Sequence, residues 1–278
     1  MSTVTTYLDF GMTKAGKRTS YDYREGQIAY DLFMGARYLN DLIAYRHGRV
    51  DEVYHPEDVR DNLRKYTALS VCAGSSPRLT YYEVGSSVMG VIDALEYLNA
   101  EYQELETRHI FWHGVDNSSF MNAMAQYTHE GHDIRLSTAV DAIPCDLFFA
   151  KGVSLLYAID AEALLCDVLS SCRIAIFDYT FAREGTISEV VGTGLPVTFL
   201  NLEACRRGLT IDGKTLLLEP YTIKTYHQSP NKVTYDCVYG DTAVVERYLE
   251  AVEQKSAAFE RVWQRPLIRP ARRQAVLT

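Results

Sequence analysis

Five short apolar runs alternate with helical segments between residues 68 and 177, and this alternation limits the folds open to the chain. Apolar runs of about four to eight residues are typical of buried strands. Strands that alternate with helices favour a parallel sheet covered on both faces. The predicted strands are residues 68–73, 109–115, 133–138, 146–150 and 173–177. The sequence therefore predicts an α/β fold.

Helical periodicity places the other elements. Apolar residues recur at helical spacing in 25–45, and His55-Pro56-Glu57-Asp58 reads as a helix start. Helices are also predicted over residues 86–102, 118–129 and 160–171. We therefore divide the chain into a helical cap, residues 1–66, and a sheet domain, residues 67–278.

The character of the chain changes after Asp178. Residues 184–191 and 201–208 are predicted as short helices, and residues 242–263 as a long amphipathic one. Two β-rich runs, 215–226 and 232–239, flank the turn Gln228-Ser229-Pro230-Asn231. This pattern predicts an antiparallel hairpin at one edge of the sheet.

Composition narrows the function classes. The chain of 278 residues has a net charge of −8, which disfavours nonspecific nucleic-acid binding. No apolar run reaches the ~18 residues that span a bilayer, and the amino terminus lacks a signal-peptide pattern. Six scattered cysteines without a C-x-x-C pair predict buried, reduced thiols. We expect a cytoplasmic protein with no membrane or nucleic-acid partner.

Two predicted strand ends carry the candidate site. The first strand ends in Gly74 and Ser75, and the second in Asp116 and Asn117. A glycine lets the backbone approach a ligand closely, and a carboxylate at the next strand tip can accept both hydroxyls of a ribose. The pair predicts a nucleotide-type site at the carboxyl edge of the sheet.

With its helical preface, five α/β units and terminal hairpin, the chain resembles the Rossmann-like class I S-adenosylmethionine-dependent methyltransferase superfamily over residues 60–240. The resemblance implies S-adenosylmethionine as the cofactor. Gly74 and Ser75 would then lie near its methionine, Asp116 on the ribose, and Asn117 near the adenosine. The pair Asp141-Ala142 resembles the family's adenine-binding motif. The loop C-A-G-S-S-P departs from the family's glycine-rich run and keeps Gly74 alone.

The chemistry of a sulfonium sets the remaining candidates. Lys151 follows the fourth predicted strand, and Asp178 and Tyr179 follow the fifth, where an acceptor is expected. The family's metal-dependent members carry an Asp-Asn pair there, whereas this chain reads D-Y-T-F, so no catalytic metal is predicted.

The cap is rich in tyrosine, and aromatic faces attract cations such as a sulfonium. Tyr21, Tyr23 and Tyr30 are the candidates for contact with the cofactor, with helix packing as the alternative. The resemblance implies that these helices close over the substrate as a lid.

The leading interpretation is an enzyme of specialised biosynthesis that methylates an oxygen or nitrogen of a small molecule. One alternative uses the aminobutyryl arm of S-adenosylmethionine and releases methylthioadenosine, by aminocarboxypropyl transfer or by cyclisation to azetidine-2-carboxylate. Another is a non-catalytic binding protein on the same fold, and an NAD-binding domain is disfavoured by the absence of G-x-G-x-x-G. The oligomeric state stays open, with a homodimer among the possibilities.

Overall fold

Two long helices precede the sheet. The computed structural model describes residues 23–49, 56–74, 76, 78–116, 118–138, 140, 143–151, 155, 161–191, 195–220 and 230–263. Helix α1 spans Tyr23–Arg46 and helix α2 spans Pro56–Ala73. Because α2 crosses residue 66, it joins the predicted cap to the predicted sheet domain, and that division of the chain stays a prediction.

A seven-stranded sheet forms the centre of the described chain. Its strands are β1 Leu79–Val84, β2 Ile110–Val115, β3 Ile134–Ser137, β4 Cys145–Ala150, β5 Cys172–Ala182, β8 Lys214–Pro220 and β9 Lys232–Asp241. They lie in the order β3-β2-β1-β4-β5-β9-β8. The first five are parallel, and β9 runs antiparallel between β5 and β8. The predicted parallel sheet with a terminal antiparallel hairpin is confirmed.

The first predicted strand is wrong, because residues 68–73 are the end of α2. Leu63, Tyr66, Leu69 and Cys72 recur every three residues and are all buried, so the helical stripe of this segment continues to its end. The apolar run is therefore the buried face of a helix. The true first strand, β1, follows it by five residues.

Helices cover both faces of the sheet. Helix α3, Val91–Tyr102, and helix α4, Ser119–Thr128, share a hydrophobic cluster with α2 and with helix α7, Thr242–Trp263. Helix α5, Ala161–Ser171, packs with the opposite cluster. Within the described ranges no helix combines the length and apolarity that crossing a bilayer requires.

A small hairpin follows β5. It pairs β6, Ile187–Val191, with β7, Leu195–Phe199, so the predicted helix over residues 184–191 is wrong. The predicted helix 201–208 is confirmed as α6, Leu202–Gly208. Beyond the end of β4, β5 and β9 continue past the carboxyl edge of the sheet, and the last two residues of β8 still pair with β9 there.

Candidate functional site

The strand register brings three predicted site residues to one edge. Val84, Val115 and Ala150, the last residues of β1, β2 and β4, lie side by side, and Phe177 of β5 pairs with Ala150. The next residues along these strands are Gly85, Asp116, Lys151 and Asp178. Asp116, Lys151 and Asp178 therefore lie along the carboxyl edge of the sheet, and Gly85 takes the place expected for Gly74.

Gly74 lies elsewhere. It follows the end of α2 and precedes β1, which puts it at the amino end of that strand, and Ser75 lies outside the described residues. The expectation that Gly74 ends a strand beside Asp116 is wrong. The signal that could have found the true loop is E-V-G after the β-prone run L-T-Y-Y, where an acidic residue and a glycine close a strand.

The loop after β1, residues 85–90, has an alternating backbone. Gly85, Ser87 and Met89 have φ angles of +78°, +51° and +55°, all in the left-handed region. Every second residue thus adopts a conformation that glycine favours, although two of the three are not glycine.

Asp116 ties this loop to the end of β2. Its Oδ2 accepts the backbone N–H of Ser87 at 2.9 Å, and its Oδ1 accepts the backbone N–H of Ser118 at 2.9 Å. The side chain of Asn122 donates to the Asp116 carbonyl. These contacts fix the carboxylate of Asp116 at the carboxyl edge, between the loop after β1 and the start of α4.

Gly114 lets the loop pack against β2. A Cβ at this position would lie 2.5 Å from Sδ of Met89 and 2.7 Å from Oγ of Ser86. A larger residue would force the side chains of Met89 and Ser86 to shift, so Gly114 permits this close approach. The hydroxyl of Ser86 is buried and has no hydrogen-bond partner among the described residues.

The start of α4 completes this side of the site. Ser118 is the N-cap, and its Oγ accepts the backbone N–H of Met121 at 3.2 Å. Helix α1 passes close by, since a Cβ on Gly35 would lie 3.0 Å from the ring of Phe120. Tyr23 and Tyr30 belong to α1. The predictions for Tyr21, Asn117, Asp141 and Ala142 concern residues outside the described ranges.

A partly buried charge cluster lies on the side where the acceptor is expected. Arg64 of α2 makes a bidentate pair with Asp236 of β9, at 2.8 and 3.1 Å, and Nζ of Lys151 lies 3.0 Å from Oδ2 of the same carboxylate. Burial pushes the pKa of Asp236 upward, but Arg64 and Lys151 outweigh it and hold that pKa below its usual value. Asp178, directly opposite Asp236 in the β5–β9 pair, is 2% exposed.

A second ion pair fixes α2 over β1. Nζ of Lys65 lies 2.7 Å from Oε1 of Glu83 and 4.1 Å from the ring centroid of Phe149. Both charged side chains are about nine-tenths buried. Losing one partner of a buried pair leaves an uncompensated charge, so α2 is held firmly to the carboxyl edge.

Tyr179 points away from this cluster. Successive strand residues face opposite sides of a sheet, and Tyr179 packs in the hydrophobic cluster under α5. Its hydroxyl donates to the carbonyl of Thr198 in β7 at 2.6 Å, and burial raises its pKa. Its hydroxyl is thus engaged in attaching the β6–β7 hairpin to β5. Among the described residues, no three His, Cys, Asp or Glu side chains gather as a metal site would.

No family model matches the chain, and no curated protein matches it. Solved structures do resemble it. The N-terminal domain of EvdMO1, in the presence of S-adenosylhomocysteine and D-fucose, is 14% identical over 68% of this chain and 84% of its own, with a TM-score of 0.45. Magnesium protoporphyrin IX methyltransferase from Synechocystis PCC 6803, with bound S-adenosylmethionine, is 16% identical over 64% of this chain and 78% of its own, with a TM-score of 0.38.

CalS10, an amino pentose methyltransferase from Micromonospora echinaspora, is 12% identical over 72% of this chain and 97% of its own, with a TM-score of 0.38. The resemblance to class I S-adenosylmethionine-dependent methyltransferases stays a prediction from the sequence.

Proposed function

We propose that the protein is an S-adenosylmethionine-dependent methyltransferase that acts on an oxygen or nitrogen of a small molecule in specialised metabolism. One observation carries the proposal. The carboxylate of Asp116 receives backbone N–H groups from both Ser87 and Ser118, and so joins the loop after β1 to the end of β2. Parallel α/β sheets bind nucleotide-type ligands at this edge.

In this proposal the cofactor lies along the carboxyl edge of β1 and β2. The loop of residues 85–90 lies against the methionine part, where the family resemblance places its glycine-rich run. Asp116, at the tip of β2, accepts the ribose hydroxyls. Asn117 contacts the adenosine, and Asp141 and Ala142 contact the adenine. Gly85 replaces Gly74 in this assignment because it is the glycine that follows β1.

The acceptor lies beside β4 and β5 in this proposal. Its oxygen or nitrogen attacks the methyl carbon in line with the carbon–sulfur bond, which breaks and leaves its electron pair on sulfur as S-adenosylhomocysteine. Asp178 receives the proton that the nucleophile loses. Lys151 and Asp236 place a fixed ion pair beside it, which orients the acceptor without solvent reorganisation.

The cap excludes water in this proposal. Helix α1 passes the start of α4, one turn from Asp116, and carries Tyr23 and Tyr30. Their aromatic faces, together with Tyr21, lie over the sulfonium, a contact worth about 0.5–2 kcal/mol each. Tyr179 holds the β6–β7 hairpin as a wall of the acceptor site.

The test begins with the cofactor alone. Calorimetry with S-adenosylhomocysteine measures binding, and incubation with methyl-labelled S-adenosylmethionine and a panel of small alcohols, phenols and amines identifies labelled products by mass spectrometry. We expect binding, and S-adenosylhomocysteine as the co-product of every labelled acceptor. Asp116→Ala is the matched control, and it should lose both binding and turnover.

Two results oppose the proposal. Release of methylthioadenosine would show that the aminobutyryl arm reacts in place of the methyl group. Failure of the wild-type protein to bind either form of the cofactor would remove the site itself.

A further inference from the structure

A chain of polar contacts runs from the cap helix to the loop after β1. It begins at Arg46, the last residue of α1, whose Nε donates to Oδ1 of Asp93 in the first turn of α3. The same guanidinium donates through Nη2 to the carbonyl of Thr128 at 2.9 Å. Arg46 therefore joins α1 to the two helices that follow the loop and Asp116.

The chain continues through a buried histidine. Nδ1 of His129, just after α4, lies 3.6 Å from Oδ2 of Asp93. Nε2 of the same ring lies 3.0 Å from the carbonyl of Val88, inside the loop. Because a carbonyl only accepts, the hydrogen of this bond is on Nε2. His129 and Val88 are 2% and 1% exposed, so water does not compete for the bond.

Asp93 connects the two halves of this chain. Its side chain is 3% exposed, whereas that of Arg46 is 47% exposed. Oδ2 of Asp93 has no hydrogen-bond partner within the described part of the chain, and the ring of His129 is the group that faces it. A buried carboxylate that loses its cation destabilises the folded state unless it accepts a hydrogen bond from another polar group nearby. If α1 moved away, that group would be the imidazole of His129 with its hydrogen on Nδ1 in place of Nε2, and the bond to Val88 would be lost.

We propose that His129 is a positioning residue for the cofactor loop, and that Asp93 makes its hold on Val88 depend on Arg46 of the cap helix. The inference rests on the proposed function only in taking residues 85–90 as the cofactor's loop. Docking of α1 then sets the loop for binding, and a bound cofactor favours a docked α1, because coupling between two sites is reciprocal.

The first experiment removes the bond to Val88. His129→Leu should increase amide hydrogen exchange in residues 85–90 of the ligand-free protein and raise the Kd for S-adenosylhomocysteine about fivefold, as expected for one lost hydrogen bond. His129→Gln places an amide N–H near the position of Nε2 and should restore most of both. His109→Gln is the matched control, because His109 is exposed and pairs with Glu106.

The second experiment tests the dependence on the cap. Arg46→Met and His129→Leu are combined in a double-mutant cycle on the Kd for S-adenosylhomocysteine. We expect the two effects to be non-additive by at least about threefold, since both substitutions break the same chain. With saturating acceptor and varied S-adenosylmethionine, His129→Leu should change KM for S-adenosylmethionine more than kcat.

Additive effects, or unchanged exchange in residues 85–90 of His129→Leu, would overturn the inference. Exchange in β4 and β5 reports whether each variant keeps its fold, and the His129→Gln rescue covers a Leu variant that does not. The exchange experiment needs no cofactor. Failure of the wild-type protein to bind S-adenosylhomocysteine would therefore refute the proposed function. Amide exchange in residues 85–90 would still test whether His129 positions the loop.

Discussion

Asp116→Asn is the substitution that separates the two duties of this carboxylate. Its two oxygens each accept one backbone N–H, from Ser87 and from Ser118, both at 2.9 Å. An asparagine keeps one acceptor oxygen and turns an NH2 toward the other N–H. One hydrogen bond therefore survives in neutral form, and one buried donor faces another donor.

The magnitude follows from these two bonds. A hydrogen bond to a charged group contributes about 1.5–3 kcal/mol, a neutral one about 1 kcal/mol, and an unsatisfied buried donor costs about 1–3 kcal/mol. The exchange should lower the free energy of unfolding by about 2–4 kcal/mol. It should also weaken S-adenosylhomocysteine binding by at least about 1.5 kcal/mol, because the ribose loses a charged acceptor.

Urea denaturation followed by circular dichroism measures the first effect, and calorimetry below the transition measures the second. Asp167→Asn, an exposed aspartate of α5, is the matched control and should change neither. A loss of stability below about 0.5 kcal/mol would refute the claim that the carboxylate fixes the loop. A decrease in the free energy of unfolding of about 2–4 kcal/mol with unchanged affinity for S-adenosylhomocysteine would refute the contact of Asp116 with the ribose.

The remaining predictions concern single contacts. Tyr179→Phe should lower the free energy of unfolding by about 1 kcal/mol through the lost bond to Thr198 and leave S-adenosylhomocysteine affinity unchanged; a large loss of affinity would contradict its place in the wall. Gly114→Ala should cost about 1–3 kcal/mol in urea denaturation, because its Cβ meets Met89 at 2.5 Å, and an unaffected protein would show that the loop yields freely. Burial lowers the pKa of His129 from 6.5 despite an opposing carboxylate, so the unfolded chain binds the proton more readily. Stability should therefore fall as the pH drops from about 6.5 through the folded-state pKa, and His129→Gln should remove that slope, measured by urea denaturation between pH 7.5 and 5.

Periodicity and helix-start signals were enough to place β2 and the residues after it. Polar residues precede and follow the apolar run before Asp116. Ser118 comes next, at the N-cap position that serine favours. These signals are local, and each lies within a few residues of the element it defines. The terminal hairpin and α7 were predictable for the same reason.

The first strand was missed because its stabilising contacts are distant in sequence. Glu83 makes β1 look half-polar, yet its partner is Lys65, eighteen residues earlier on a different element. Meanwhile α2 ends in Ser70-Val71-Cys72-Ala73, whose composition suits a strand equally well. The segment is helical because the buried stripe that starts at Val59 continues at helical spacing to Cys72.

The hairpin after β5 shows the opposite error. Ile187, Val190 and Val191 are β-branched and favour a strand, although the segment was predicted as a short helix. Its partner strand contains Pro196, which is tolerated because β7 is one of only two strands in its small sheet. Each strand of this hairpin has only five residues, which is too short to show a clear period in the sequence.

The loop after β1 explains why a glycine motif was the wrong signal to search for. Each non-glycine residue in the left-handed region costs about 1–2 kcal/mol, so Ser87 and Met89 together cost about 2–4 kcal/mol. The bond from Ser87 to Asp116 contributes about 1.5–3 kcal/mol and that from His129 to Val88 about 1 kcal/mol. The two sums are of equal size. The contacts with Asp116 and His129 therefore stabilise in this loop a conformation that three glycines would adopt without strain. The residues that determine the loop's conformation thus lie outside the loop.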